Sequence, residues 1–137
     1  MNTTGYAHPK VVEAVRAQAE RFAHVCFSDF THEPTLSLAE RLVGKLGGGY
    51  RVFFGNSGTE VTMDAFHLMR AITGRSLVVK IEGTYHGHHD SAMVSIFRST
   101  DQLGPLHEPH RVPGPGIMQE MADLLRIVPF NDLPALA

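Results

Sequence analysis

Between Tyr50 and Ile81 the apolar residues change their spacing twice, and few folds accommodate that order. Tyr50 to Phe54 is a short run rich in aromatic and β-branched residues, the composition of a buried strand. The turn Gly55-Asn56-Ser57-Gly58 comes next. From about Thr59 to Ile72 the spacing becomes helical, with Val61, Ala65, Leu68 and Ile72 on one face and Met63, Phe66 and Met69 on another. Apolar residues on most sides predict a helix covered by more than a sheet alone. Thr73-Gly74 ends it, and Ser76 to Ile81 reads as a second strand. Strand, helix, strand in so short a span predicts a βαβ unit, with parallel strands and a right-handed crossover. The fold class is therefore α/β.

Two amphipathic helices precede that unit. Val11, Val15, Ala19 and Phe22 form one face of a helix over residues 10–22. Leu36, Ala39, Val43 and Leu46 do the same from about Thr35 to Leu46, with Ser37 and Glu40 as a candidate capping box. Gly47, Gly48 and Gly49 stop that helix, because three glycines lose too much backbone entropy to remain helical. After Gly83 the chain is rich in His, Gly and Pro, and Gly104 to Gly116 reads as a long loop of the kind that carries function. Arg126 to Pro129 is a last short strand, and Asn131-Asp132 is placed to cap a helix running toward Ala137. No internal repeat or linker divides the 137 residues, which read as a single partial domain.

The segment best suited to chemistry is the start of the helix after Phe54. Ser57 can accept from the Glu60 N–H while the Glu60 side chain reaches back, a capping box. Gly58 lets an anion approach the first helical N–H groups, and the helix dipole and the hydroxyls of Ser57 and Thr59 assist. The turn matches neither the P-loop nor the dinucleotide pattern, so a phosphate without a nucleotide is the better reading. If the two strands run parallel, Tyr85 and His86 emerge at the same sheet edge as Ser57 to Thr59. There Tyr85 can stack on a flat ring carrying the phosphate, or it is a half-buried aromatic closing the core.

His86, His88, His89 and Asp90 offer a second chemistry. Histidines two apart on a strand share a face and can reach one metal ion, which would suit a metal-dependent hydrolase. Composition adds little. A net charge of −2 gives no nucleic-acid surface, no apolar run is long enough for a membrane span, and Cys26 alone can form no intrachain disulfide. The start of the chain carries no targeting pattern, so a cytoplasmic setting is expected.

Five blocks carry a resemblance: Gly5-x-x-His8-Pro9-Lys10, Asn56-Ser57-Gly58-Thr59-Glu60, Arg70-Ala71-x-Thr73-Gly74-Arg75, Glu82-Gly83-x-Tyr85-His86-Gly87 and Pro129-Phe130-Asn131-Asp132. In that order and spacing they resemble the class III aminotransferases, the aminomutase branch above all, over almost the whole chain. The resemblance implies part of the fold-type-I large domain that binds pyridoxal 5′-phosphate. It places the cofactor phosphate on Ser57, Gly58 and Thr59, the ring against Tyr85, and His86 in the same pocket. It implies a small-molecule amino donor, a carbonyl acceptor and a homodimer. Residues 87–116 resemble a mobile lid. The resemblance also implies a Schiff-base lysine, which Lys10, Lys45 and Lys80 do not match, so no catalytic residue is assigned. A fragment of a longer frame, a decayed copy, or a non-catalytic cofactor-binding remnant are the readings this leaves.

Overall fold

The computed structural model describes residues 3–96 and 99–136, and the chain divides into two compact units, Met1–Phe53 and Phe54–Ala137. In the first unit, α1 spans Pro9–Arg21 and α2 spans Glu33–Lys45. The second helix begins two residues before the expected Thr35, because Pro34 sits in its first turn, where a missing N–H costs nothing. Ser37 is consequently inside the helix, and the expected Ser37–Glu40 box does not form. His32 occupies the N-cap position, and its Nε2 lies 2.8 Å from the Thr35 hydroxyl. Phe22 and Phe27 each meet the His32 ring edge-on with centroids 5.7 Å apart. Neither helix buries a residue within its span.

The second unit holds α3 (Gly58–Thr73), β1 (Val78–Ile81), α4 (Gln119–Asp123) and β2 (Leu125–Val128), with short 3-10 turns at Thr100–Gln102 and Pro134–Leu136. Asp132 does cap the last of these, accepting from the Ala135 N–H at 3.3 Å, although the segment is a 3-10 turn where a helix was expected. β1 and β2 pair in parallel, from Val78 opposite Leu125 to Ile81 opposite Val128. The α/β class with a parallel sheet stands. Its composition differs from the sequence expectation in one respect: Tyr50–Phe54 is not a strand. That run straddles the boundary between the units, and among the described residues no neighbouring strand meets its backbone groups. Without a ladder partner, strand-forming composition does not make a strand. The parallel partner of β1 comes instead from the far side of the long connection after Glu82.

Phe66 of α3, Val78 of β1, Val94, Ala122 of α4, and Leu125 and Ile127 of β2 form the core. Val94 comes from the connection, within the 87–116 stretch expected to be a loop or lid. Ala92 and Val94 are fully buried, and Val94 bridges to Pro113 in antiparallel fashion. Ser95 ties this corner together. Its N–H donates to the Val112 carbonyl at 2.7 Å and its hydroxyl to the His110 carbonyl at 2.8 Å, while its own carbonyl accepts from the Gly83 N–H at 3.0 Å. Lys80, on β1, is buried as well, and its ammonium donates to the Val94 carbonyl at 2.9 Å. A charge that deep persists only because it is hydrogen-bonded.

Helix α3 buries only Phe66 of its sixteen residues, while Val61, Leu68, Met69 and Ile72 are exposed. Side chains of this size are worth roughly 1.5–3 kcal/mol each when covered, so the open face forgoes much of the stabilisation its sequence could deliver. The 137-residue chain is expected to unfold over a broad urea range and to bind a hydrophobic dye below its midpoint. A single sharp transition with no dye binding would overturn this.

Candidate functional site

The start of α3 and the turn after β1 meet in the second unit. Ser57 is the N-cap: its hydroxyl oxygen accepts from the Glu60 N–H at 3.3 Å, and its carbonyl accepts from the Val61 N–H at 3.2 Å. The expected return contact from Glu60 is made to the Ser57 hydroxyl, which donates to the carboxylate at 3.2 Å, rather than to the Ser57 backbone N–H. The N–H groups of Gly58 and Thr59 have no acceptor among the described residues. They are the donors that every α-helix start leaves over, here at the positive end of a sixteen-residue helix. A Cβ added at Gly58 would meet nothing within 4 Å, so the space on that side of the helix start is open.

The turn after β1 closes one side of that space. Gly87 lies so near α3 that an added Cβ would stand 2.6 Å from Thr59 Oγ1 and 2.7 Å from Thr59 Cα, and its φ of 96° is itself one that side chains resist. Thr59 Oγ1 is also 3.2 Å from His88 Nδ1. The Thr62 hydroxyl meets the His86 carbonyl oxygen at 2.5 Å. Tyr85 sits on this fastened turn, between Thr84, whose hydroxyl donates to the Ile81 carbonyl at 2.6 Å, and His86. It is 59% exposed, so its ring is not spent in closing the core. Ser57, Gly58 and Thr59 thus share one helix start, and Tyr85 is two residues from the glycine pressed against it. The strand pairing expected to bring them together is absent; the Gly87–Thr59 contact does it instead.

The three histidines diverge. His86 Nε2 is 3.0 Å from the Thr84 hydroxyl, His88 faces Thr59, and His89 meets Phe66 edge-on with centroids 5.3 Å apart. Among the described residues no three His, Cys, Asp or Glu side chains gather in a group that could hold a metal ion. The alternation that would align His86 and His88 requires a strand, and β1 has already ended at Ile81. Burial, then the charge of Lys80, holds His86 below the ordinary histidine pKa. Burial, then His67, does the same to His89, against a raising effect of Asp90. A large hollow of about 820 Å³ lies elsewhere, lined by Leu77, Leu106, Ile127 and Pro134, and holds none of these side chains. Sequence reasoning passed over Thr62 and Lys80. Thr62 carried no signal, since a threonine within an amphipathic helix is ordinary. Lys80 carried a weak one, as a charge in the middle of an apolar strand.

This geometry has two measurable outcomes. Gly87→Ala should lower the urea-unfolding free energy by about 1–3 kcal/mol, as overpacking does, whereas Gly58→Ala, with open space before it, should cost nothing measurable. Equal effects would contradict the contact described. The two depressed histidines favour the neutral ring when folded, so the unfolded chain takes up protons first. The stability they contribute is present above the unfolded value of 6.5 and is lost as pH falls from there through the lower folded values. The urea midpoint should fall between about pH 7.5 and pH 5.5, and the slope should flatten when His86 and His89 are both replaced by glutamine. A midpoint constant over that range would contradict the assignment.

Comparison with known proteins gives the family and the fold. Residues 1–121 match the family described as Aminotransferase class-III. The chain is 42% identical to the glutamate-1-semialdehyde 2,1-aminomutase of Aquifex aeolicus, over 96% of its own length and 29% of the relative's. Among solved structures it is similar to an omega-transaminase from Sphaerobacter thermophilus, with a TM-score of 0.83 and 34% identity over 96% of this chain and 30% of that one. It is also similar to a transaminase with pyridoxal phosphate bound, with a TM-score of 0.78 and 30% identity over 93% of this chain and 28% of that one. The chain therefore spans a little under a third of the relatives it matches. A family match over most of its residues and a shared fold place it plainly: the chain belongs to the class III aminotransferases, with the fold-type-I architecture.

Proposed function

We propose that this chain provides the phosphate- and ring-holding part of a pyridoxal-phosphate-dependent aminotransferase or aminomutase, of the glutamate-1-semialdehyde aminomutase kind. In such an enzyme an amino group moves between a small amino donor and a carbonyl acceptor. The observation that carries the reading is the pair of Gly58 and Thr59 N–H groups without an acceptor among the described residues, at the helix start against which Gly87 of the Tyr85 turn presses. A phosphate dianion fits that donor set. The likeness to a transaminase holding the cofactor supports the same ligand.

Each residue then has a physical task. The Gly58 and Thr59 N–H groups and the Thr59 hydroxyl hold the phosphate. Ser57 gives its proton to Glu60 in this state, so its first contribution is to cap the helix and fix those N–H directions. Tyr85 offers an aromatic face to a planar ring, and the neutral His86 lines the wall beside it without adding charge. Pyridoxal phosphate, when bound, supplies the electron sink that amino transfer requires. The proton-moving lysine is not met by this chain. Lys80 is buried with its ammonium on the Val94 carbonyl, and Lys10 and Lys45 belong to α1 and α2 of the other unit. The 137 residues alone are expected to bind cofactor without turning over substrate. The lid reading covers residues 87–116, of which Ala92 and Val94 are buried in the core, and the working unit proposed for the whole enzyme is a homodimer.

A second reading, a non-catalytic cofactor-binding module, is favoured by the same buried Lys80 beside an assembled cradle. Both readings require binding, and amino transfer separates them. Equilibrium dialysis of the chain against pyridoxine 5′-phosphate, which has no aldehyde to react with surface lysines, tests the cradle. Replacing Ser57 and Thr59 together by alanine should weaken binding on the order of tenfold. Binding unchanged by that double substitution would remove the phosphate site.

A further inference from the structure

We infer that Thr62 is a positioning residue, whose hydroxyl sets the distance between the phosphate cradle and the Tyr85 ring. The inference rests on the cofactor reading above and deepens it. Thr62 lies one helical turn beyond Thr59 and faces the turn after β1. Its Oγ1 is 2.5 Å from the His86 carbonyl oxygen, 2.8 Å from that of Gly58 and 3.1 Å from that of Thr59, with His89 Nε2 at 3.5 Å. A hydroxyl has one proton to give. The carbonyls of Gly58 and Thr59 already receive the helical N–H groups four residues on, so they lose little without it. The His86 carbonyl has no other donor among the described residues. The proton therefore belongs to His86, and a lone pair faces His89 Nε2.

That bond joins the helix bearing the cradle to the residue next to Tyr85. The Gly87 backbone against Thr59 is a second contact, and it acts as a stop: it prevents closer approach but cannot prevent separation. The Thr62 bond, with the longer Thr59–His88 contact beside it, is what resists the turn swinging away. Loss of the hydroxyl would leave the cradle intact and free Tyr85 to drift from the ring plane. Phosphate affinity and ring affinity would then part company.

The test compares Thr62→Val, which keeps the shape and removes the hydroxyl, with Thr62→Ser, which keeps the hydroxyl. Hydrogen exchange of residues 84–89, read without ligand, should quicken several-fold in Thr62→Val and return toward wild type in Thr62→Ser. Dialysis against pyridoxine 5′-phosphate should show about five- to tenfold weaker binding in Thr62→Val, with the affinity for inorganic phosphate unchanged. In a Tyr85→Ala background the Thr62→Val loss should vanish, because both substitutions remove the same ring contact. Exchange unaffected by Thr62→Val, or losses that add in full to Tyr85→Ala, would overturn the inference. Failure of the unaltered chain to bind either phosphate compound would instead overturn the cofactor reading, and the exchange experiment would still decide whether Thr62 fastens the turn.

Discussion

The close approach of Gly87 to Thr59 is the constraint on which the site depends. Everything that makes the helix start chemically useful (open N–H donors, a dipole, a hydroxyl) belongs to α3, whereas the aromatic belongs to the turn after β1. These elements are separated by the rest of a helix and a strand. They meet because one residue has no side chain. A methyl group at that point would hold the turn off α3, as no adjustment of a flexible side chain relieves a contact with backbone Cα.

How much of this was legible in the sequence varies with what each residue had to reveal. Helices α1 to α3 were legible because apolar spacing and caps are local: α3 runs from Gly58 to Thr73 against an expected Thr59 to Ile72, and Ser57 caps it as expected, whereas the five-residue α4 is too short to show a period. The β2 strand was also found to within a residue. Tyr50–Phe54 failed because a strand is a relation between two segments, and composition describes only one of them. The strand pairing expected to bring Tyr85 toward Thr59 does not occur, and the contact that joins the two segments is that of Gly87 with Thr59. The glycine responsible was quoted only as part of a block. Val94 and Ser95 were read as loop because a core residue in irregular backbone has no period to betray it.

Several polar groups inside the second unit reach backbone partners, although Arg70 Nη2 is buried without one among the described residues. Lys80 reaches a carbonyl, the Ser95 hydroxyl both donates and accepts, and the Arg70 guanidinium donates through Nε to the Ser76 carbonyl at 2.9 Å. Lys80 and Arg70 each join an element to a segment without regular structure, and Ser95 joins two such segments, which have no ladder of their own to satisfy them. The apolar exposure of α3 is the complement of this. Its start is capped by Ser57, with the Gly58 and Thr59 N–H groups left over, while much of its hydrophobic surface remains uncovered. The short local order of the helix start is thus formed in a stretch whose larger packing leaves an apolar face open.

The clasp at Ser95 has a consequence for how the connection can vary. The chain leaves the core at Ser95 and returns to that same residue through His110 and Val112. Its two ends are therefore already together, and the entropy of closing the excursion between them grows only slowly with length. Insertions or deletions around Pro105 to Glu108 would change what overhangs the unit while leaving the register of β1 and β2 untouched. A structure of this kind can diversify its outer rim and keep its foundation, since a single serine separates the two.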